Sequence, residues 1–325
     1  MSKIAFVDFD DADFVTHSGK FHADEVMATA ILLAIRELVL SGAIKSEDLP
    51  EVLRGKFSDE PIRLCRISAV SSNPGKKLVY DVGGGMFDHH QKNRNGMREN
   101  GIFYAAVGLI WREFGKLLCG GSEELLQAID EQLIQAIDCG DNGQFPVIEN
   151  GLPILNFDEL IGNFNPRWNE DLSMDFQNKR FAEAVEFAEG IFERSLRKEK
   201  AILAAVPEIE EALAKSEDGI IVFDRYVAWE EALLKMSAKN EKAKNILLAV
   251  FPSNRDAGAY IVQSPRENNT SRLYLPEAWR GKKNEDLDDH VEGGIFCHAT
   301  GFMAVADGRE HAISMAKIAV KDHNE

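Results

Sequence analysis

Asp88, His89 and His90 stand side by side at the end of the stretch KKLVYDVGGGMFDHHQ, residues 76–91, which also holds Asp81. Carboxylates and imidazoles gathered without a thiolate are donors for a borderline-hard divalent cation rather than for structural zinc. Leu78 to Val82 is short, apolar and rich in β-branched residues, so it reads as a buried strand with Asp81 at its carboxyl end. Gly83, Gly84 and Gly85 then let the backbone bend before the Asp-His-His triplet. Open α/β sheets bind ligands just beyond the carboxyl ends of their strands, which is where this stretch puts its donors.

Two further clusters have the same character. THSGKFHADE, residues 16–25, carries His17, His22 and Asp24 on the turn between a strand over Asp13 to Ser18 and a helix over Ala23 to Leu40. The helix is read from apolar residues at Met27, Ala28, Ile31, Leu32, Ile35, Leu38 and Val39. Taken alone, Asp24 serves as a helix N-cap and Glu25 as a partner for the helix dipole. AIDCGDNGQF, residues 136–145, brings Asp138 and Asp141 to the end of a helix over Ser122 to Ile137.

These donors exceed what one ion needs, so two cations are expected, manganese first and magnesium or another divalent ion next. Two such ions roughly 3.5–4 Å apart activate a bridging water and clamp phosphoryl oxygens. Asp81 is the candidate bridge. His17 and His22 join it on one ion; Asp24, His89 and one of Asp138 and Asp141 complete the other. Asp88 orients a histidine, and His90 faces the substrate to stabilise developing charge.

The surrounding elements extend the α/β pattern. A strand is expected over Ile62 to Val70, with Arg54, Lys56, Arg63 and Arg66 as solvated charges, and Asn73-Pro74-Gly75 as a turn. KNRNGMRENG, residues 92–101, reads as a mobile loop whose Lys92, Arg94 and Arg98 either stay solvated or cover an anion. A helix follows over Ala105 to Leu118, and 152–169 is loop-like. Residues 176–215 form an amphipathic helical stretch, interrupted at Pro207, that serves as connector. Strands over Gly219 to Asp224, Asn245 to Phe251, Ala257 to Gln263 and Ile295 to His298, with a last helix over Arg309 to Val320, make a smaller α+β domain. The expected division is 1–200 for the metal domain and 201–325 for the substrate domain.

The chain has 325 residues, 45% of them hydrophobic, which suffices for two cored domains. A net charge of −17 argues against a surface that coats long nucleic acid, and no basic, aromatic-lined groove is evident in the sequence. Cys65, Cys119, Cys139 and Cys297 form no CxxC pair, so reduced thiols are expected. No apolar run spans a bilayer and the first residues resemble neither a secretory nor a transit signal, so a soluble cytoplasmic protein is expected.

THSGKFHADE, YDVGG, FDHHQ, AIDCGDNG, NPRWN, LPEAWRG and GGIFCHATGF, in this order, resemble the melanocyte proliferating gene family of metal-dependent hydrolases, a branch related to the Asp-His-His phosphoesterases. The resemblance covers nearly the whole chain. It implies a parallel-sheet metal domain with helices on both faces and a smaller α+β substrate domain, with the cleft between them. It also implies 3′-to-5′ exonuclease activity on single-stranded or short RNA. The family's first motif falls on His17, His22 and Asp24, with His22 where most relatives have aspartate, a change that favours later divalent metals over magnesium. The second falls on Asp81, the third on Asp88, His89 and His90, and the fourth fits Asp141 better than Asp138. In the second domain the resemblance implies substrate binding by His298 and Gly301, with Arg280 and Arg309 as phosphate anchors. A helix beginning at Arg309 suits an anion, whereas Trp279 and Arg280 read equally well as a structural loop. A small-molecule phosphatase or pyrophosphatase, and a non-catalytic metal-dependent binding protein, are the competing readings.

Overall fold

Short β-branched runs alternating with amphipathic helices produce a parallel sheet, because each strand must be reached by a crossover. The computed structural model describes residues 2–70, 73–92, 95–145 and 155–324. The chain divides into two compact units, 1–199 and 200–325. In the first, β1 (Ile4–Phe6), β2 (Phe14–His17), β3 (Ile62–Ile67) and β4 (Leu78–Val79) form one sheet in the order β1-β3-β2-β4. All of its pairings are parallel.

Helix α1 (Ala23–Leu40) lies where periodicity places it, and its residues from Ala23 to Leu33 are buried all round. A helix without a solvent face belongs to the interior, and α1 packs against α2 (Ala106–Leu118). The helix expected over Ser122 to Ile137 is three pieces instead. These are α3 (Glu123–Ile129), a π-helical turn over Asp130–Ile134, and α4 (Gln135–Asp141). The widened turn rotates α4 relative to α3 and so resets the direction in which Asp138 and Asp141 point.

Several expectations are corrected. The β4 strand stops at Val79, because Asp81 adopts φ 56, outside the strand region. Within the loop-like segment, α5 (Phe157–Gly162) is capped by Asn156, whose side chain accepts from the Glu159 N–H; 152–154 lie outside the described residues. The long helix α6 (Met174–Ala214) is continuous through Pro207. Proline removes one helical hydrogen bond there, and burial of Ile202, Ala205, Ile209 and Leu213 in one apolar cluster compensates.

The second unit is built on a five-stranded sheet, β5 (Ile220–Val222), β6 (Leu248–Pro252), β7 (Tyr260–Gln263), β10 (Gly294–Cys297) and β11 (Met303–Ala306), in the order β10-β11-β7-β6-β5. The β8 (Arg266–Glu267) and β9 (Thr270–Ser271) strands form a separate hairpin. Only β5 and β6 run parallel in the five-stranded sheet. Helices α7 (Trp229–Ser237), α8 (Glu241–Lys244) and α9 (Glu285–Asp288) lie in the connections, and α10 (Arg309–Asn324) closes the chain. Ala312, Met315, Ala316 and Ala319 of α10 pack with Val250, Val262, Ala304 and Ala306 in one core. Among the described residues no helix is long and apolar enough to cross a membrane.

Candidate metal centre

Parallel pairing of Val15 with Val79 carries His17 and Asp81 to the same carboxyl edge of the sheet. His17 Nε2 lies 3.2 Å from Asp81 Oδ2. Asp81 holds its left-handed backbone with an N–H bond to the Phe87 carbonyl at 2.9 Å. Aspartate tolerates this conformation better than most residues. Gly83 completes the turn with φ 86, and a Cβ there would sit 2.8 Å from Val70. The turn delivers Asp88, whose Oδ2 accepts from Gly84 N–H at 2.6 Å and whose Oδ1 lies 2.8 Å from His90 Nδ1.

The three sequence clusters meet. His89 Nε2 is 3.0 Å from Asp141 Oδ2, 3.3 Å from Asp81 Oδ1 and 3.8 Å from Asp24 Oδ2. His17 Nε2 is 2.7 Å from Glu25 Oε1. Three donor groups, His17 with His22 and Glu25, Asp81 with His89 and His90, and Asp24 with His89 and Asp141, each fit within 4.8 Å. Asp81 faces both His17 and His89. Asp81 Oδ1 and His89 Nε2 are buried and neither makes a hydrogen bond. Buried polar atoms are ordinarily satisfied, and a cation between these donors would satisfy both. The residues therefore fit a divalent metal.

Charge crowding is written into the protonation of the cluster. Burial opposes a charged His17, but the Asp81 and Glu25 carboxylates outweigh it and raise its pKa to about 11. His89 rises likewise to about 11, with Asp141 and Asp81 overcoming burial. Burial opposes ionisation of Asp81 too, yet the two histidines hold it down to about 2. Asp24 is pushed well above the usual range by burial and then by the charges of Asp81 and Asp141. Without metal, imidazolium protons occupy the place of cations.

A histidine whose folded pKa lies above its unfolded value adds stability that is complete below pH 6.5 and is lost on the way to about 11. Chelated protein should therefore melt at progressively lower temperature as pH rises above 6.5. Metal binding must expel these protons, so affinity for Mn²⁺ should rise over the same interval. Melting curves in chelator and calorimetric Mn²⁺ titrations across this range check both; a chelated protein that gains stability with pH would contradict them.

Glu25 was not expected among the donors. It is fully buried, faces His17, and accepts from the His22 N–H at 3.1 Å. The available signal was the stretch from Val26 to Ile35, which has no charged residue and so no solvent face for Glu25 to join. His22, not Asp24, is the α1 N-cap. Asp24 instead accepts from the Ala106 and Val107 N–H groups at 2.9 and 2.5 Å, at the start of α2.

The two aspartates of the third cluster separate. Asp141 reaches His89, whereas Asp138 is fully buried and belongs to none of the three donor groups. Its Oδ1 accepts from Ala105 and Gly108 N–H at 2.8 and 3.1 Å, and Oδ2 lies 2.6 Å from Arg98 Nη1. Burial pushes Asp138 up to about 7, with Arg98 opposing the rise. Arg98 is thus neither a solvated charge nor an anion cover: it is buried and also forks onto Asp130 of the π-helical turn at 2.8 and 2.6 Å. Lys92 stays at the loop, and Arg94 lies outside the described residues.

Arg66 is likewise buried rather than solvated, donating to the His17 and Gly19 carbonyls at 3.3 and 2.8 Å and lying over the Phe181 ring. Asn165, the first residue of NPRWN, brackets the same turn: its Oδ1 accepts from Phe21 N–H at 2.9 Å and its Nδ2 donates to Phe21 O at 2.8 Å. Asn165→Ala should therefore loosen His17 and His22 together and weaken Mn²⁺ binding by about 10–100-fold, as loss of groups behind metal ligands does. Calorimetry on the folded variant checks this; unchanged affinity would show that the turn holds itself.

The cluster opens into a cleft of 960 Å³ lined also by Ser18, Lys20, Gln91, Asn142, Phe145 and Asp158. Burial and the charge of Asp141 raise the Asp158 pKa to about 6. In the second unit, His298 follows β10 and Arg309 follows β11; antiparallel pairing puts them at opposite ends of the sheet. Arg280 donates from Nε to the Leu275 carbonyl at 2.9 Å, and Gly301 leaves room for it, since a Cβ there would meet Arg280 Nε at 2.6 Å. Arg309 instead lies beside Asp224 and Glu310 at 3.5 and 3.3 Å. Gly301 thus touches both Arg280 and His298, donating its N–H to the His298 carbonyl at 2.8 Å, and Arg309 stands apart from these three.

A family model described as an uncharacterised protein family (UPF0160) matches residues 13–320. The chain is 28% identical to MYG1 protein YER156C of Saccharomyces cerevisiae, over 94% of each chain. It is 29% identical to the MYG1 protein of Dictyostelium discoideum, over 94% of this chain and 95% of that one. With the MYG1 exonuclease of Homo sapiens it shares 28% identity over 93% of this chain and 84% of the other. No solved structure matches it.

Proposed function

The chain belongs to the uncharacterised protein family UPF0160, the family of the MYG1 exonucleases, and from that premise we propose a divalent-metal-dependent 3′-to-5′ exonuclease acting on single-stranded or short RNA. The observation that carries the metal-dependent part is the meeting of imidazole and carboxylate donors from distant parts of the chain in three groups, with the buried Asp81 Oδ1 and His89 Nε2 3.3 Å apart and making no hydrogen bond. Two cations, manganese first, would be held by His17, His22, Glu25 and Asp81 on one side and by Asp24, Asp81, His89 and Asp141 on the other. Such ions, when bound, lower the pKa of water towards neutrality and stabilise charge on a phosphoryl group.

The protein's own groups supply the rest. Asp88 stays ionised: burial opposes it, but the His90 and Gly84 N–H groups prevail. It fixes the His90 ring through Nδ1 at 2.8 Å, and 63% of that side chain remains exposed at the cleft. His90 is thereby positioned to donate a hydrogen bond to a phosphoryl oxygen or a proton to the departing one.

Lys20 is the only lysine or arginine among the described residues lining the cleft. Without cations the site repels phosphate, so binding of the scissile group depends on metal. A compact pyrophosphate would call for clustered cationic side chains, which favours the phosphodiester reading. The test is hydrolysis of short single-stranded RNA labelled at one end or the other, with Mn²⁺. Stepwise shortening that retains a 5′ label and releases a 3′ label at once supports the proposal. Intact RNA, or the opposite polarity, overturns it.

A further inference from the structure

His89 and Asp141 come from distant parts of the chain, and one short segment is bonded to the elements that carry both. Asn95 takes a left-handed backbone, φ 47, and its Nδ2 donates to the carbonyls of Gly85, Met86 and Asp88 at 2.9, 3.1 and 2.7 Å. The two protons of one amide are thus shared among three carbonyls of the turn that leads into His89 and His90. From Gly96 to Tyr104 the chain is a hairpin. Met97 bridges Phe103 antiparallel, the Arg98 N–H donates to the Ile102 carbonyl at 2.9 Å, and the Tyr104 N–H donates to the Gly96 carbonyl at 3.3 Å.

The other side of this hairpin is fastened just beyond Asp141. Gln144 Oε1 accepts from the Phe103 N–H at 2.9 Å, and Gln144 Nε2 donates to the Gly101 carbonyl at 3.0 Å. Asn142 Nδ2 donates to the Phe103 carbonyl at 3.3 Å. A lone two-stranded hairpin is marginal in water. This one is stiffened by Arg98, buried on Asp130 and Asp138, and by the Arg98 and Arg112 guanidinium groups over the Tyr104 ring, 4.1 and 4.7 Å from its centroid. Arg112 Nη1 also donates to the Asn95 carbonyl at 3.4 Å. None of residues 95–104 lines the metal cleft or joins a donor group, so these bonds serve placement rather than chemistry.

Resting on the metal-dependent reading of the cluster, we infer that the 95–104 hairpin is a brace that sets His89 against Asp141, with Asn95 and Gln144 as positioning residues at its two ends. A residue needed only for the left-handed turn at 95 could be replaced by glycine without loss. A clamp could not, and aspartate, which keeps the shape and tolerates the backbone, would set a carboxylate against three carbonyl oxygens.

The test compares the full chain with Asn95→Gly, Asn95→Asp, Gln144→Ala and the double variant of Asn95→Gly with Gln144→Ala, each checked for fold by circular dichroism. Amide hydrogen exchange over residues 84–91 is read in chelator, and Mn²⁺ affinity is read by calorimetry on dialysed protein. Asn95→Gly should speed exchange there about tenfold, as loss of a hydrogen-bonded clamp does. It should also weaken Mn²⁺ binding about tenfold, the scale for groups behind metal ligands, and Asn95→Asp should do more on both counts. Gln144→Ala, which acts on residues 84–91 only through the hairpin, should speed the same amides. The double variant should bind Mn²⁺ no more weakly than the worse single one, because a brace cut at either end is already released. Wild-type exchange in Asn95→Gly reduces Asn95 to a turn former and overturns the brace. So do additive losses of Mn²⁺ affinity, or a Gln144→Ala protein that leaves residues 84–91 unchanged. A wild-type protein that binds no Mn²⁺ sinks the metal reading alone, since exchange in chelator still judges the brace.

Discussion

Asp81→Asn is expected to abolish metal retention and to lower nucleotide release by at least about a hundredfold, the scale on which loss of one central electrostatic contact acts. Asparagine keeps the shape and tolerates the left-handed backbone at φ 56, so the fold of the turn should survive. What disappears is the carboxylate that lies 3.2 Å from His17 and 3.3 Å from His89. An amide offers one oxygen and a donor that faces the wrong way for a cation. The readouts are metal content after dialysis and nucleotide release at saturating Mn²⁺, with circular dichroism as the fold control. A folded Asp81→Asn protein that retains its metal and its turnover would show that another residue joins the two halves of the cluster.

Asp138→Ala should be the most damaging change for stability. It removes the acceptor of the Ala105 and Gly108 N–H groups and leaves Arg98 Nη1 buried without its carboxylate at 2.6 Å. Breaking a buried ion pair by deleting one partner costs about 3–5 kcal/mol, a large share of a domain's total stability. The milder Asp138→Asn keeps an acceptor for the backbone and should stay folded with its metal content intact, whereas Asp141→Asn should fold normally and lose metal. Urea midpoints and metal content of the three variants decide the matter. If Asp138→Asn folds normally but loses metal, Asp138 belongs in the coordination set, and if Asp141→Asn keeps its metal, Asp141 does not.

What the sequence made legible was whatever local chemistry decides. The helix at Ala23–Leu40 was readable to the residue, because its apolar spacing is uninterrupted. The meeting of the first two clusters followed from the rule that parallel strands present their carboxyl ends together, whereas the third comes in on a helix. Illegible were features set by tertiary neighbours. Spacing could not choose between Asp138 and Asp141, which lie three residues apart on one helix, because a π-helical turn upstream resets their direction. Arg66 and Arg98 look like surface charges until their carbonyl and carboxylate partners, distant in sequence, are brought to them. Pro207 reads as a helix break, and only burial of its neighbours shows that the helix continues. Arg309 and His298 are close in sequence yet at opposite ends of a sheet, because β10 and β11 pair antiparallel.

The most direct test of the central claim is a stoichiometric titration. Chelated, dialysed protein receives Mn²⁺ in sub-equivalent steps, and release of nucleotides from short single-stranded RNA is followed after each. The account predicts no release without metal and a rise that levels off at two equivalents per chain. Release that persists in chelator, a plateau at one equivalent, or no release at any Mn²⁺ level would contradict it.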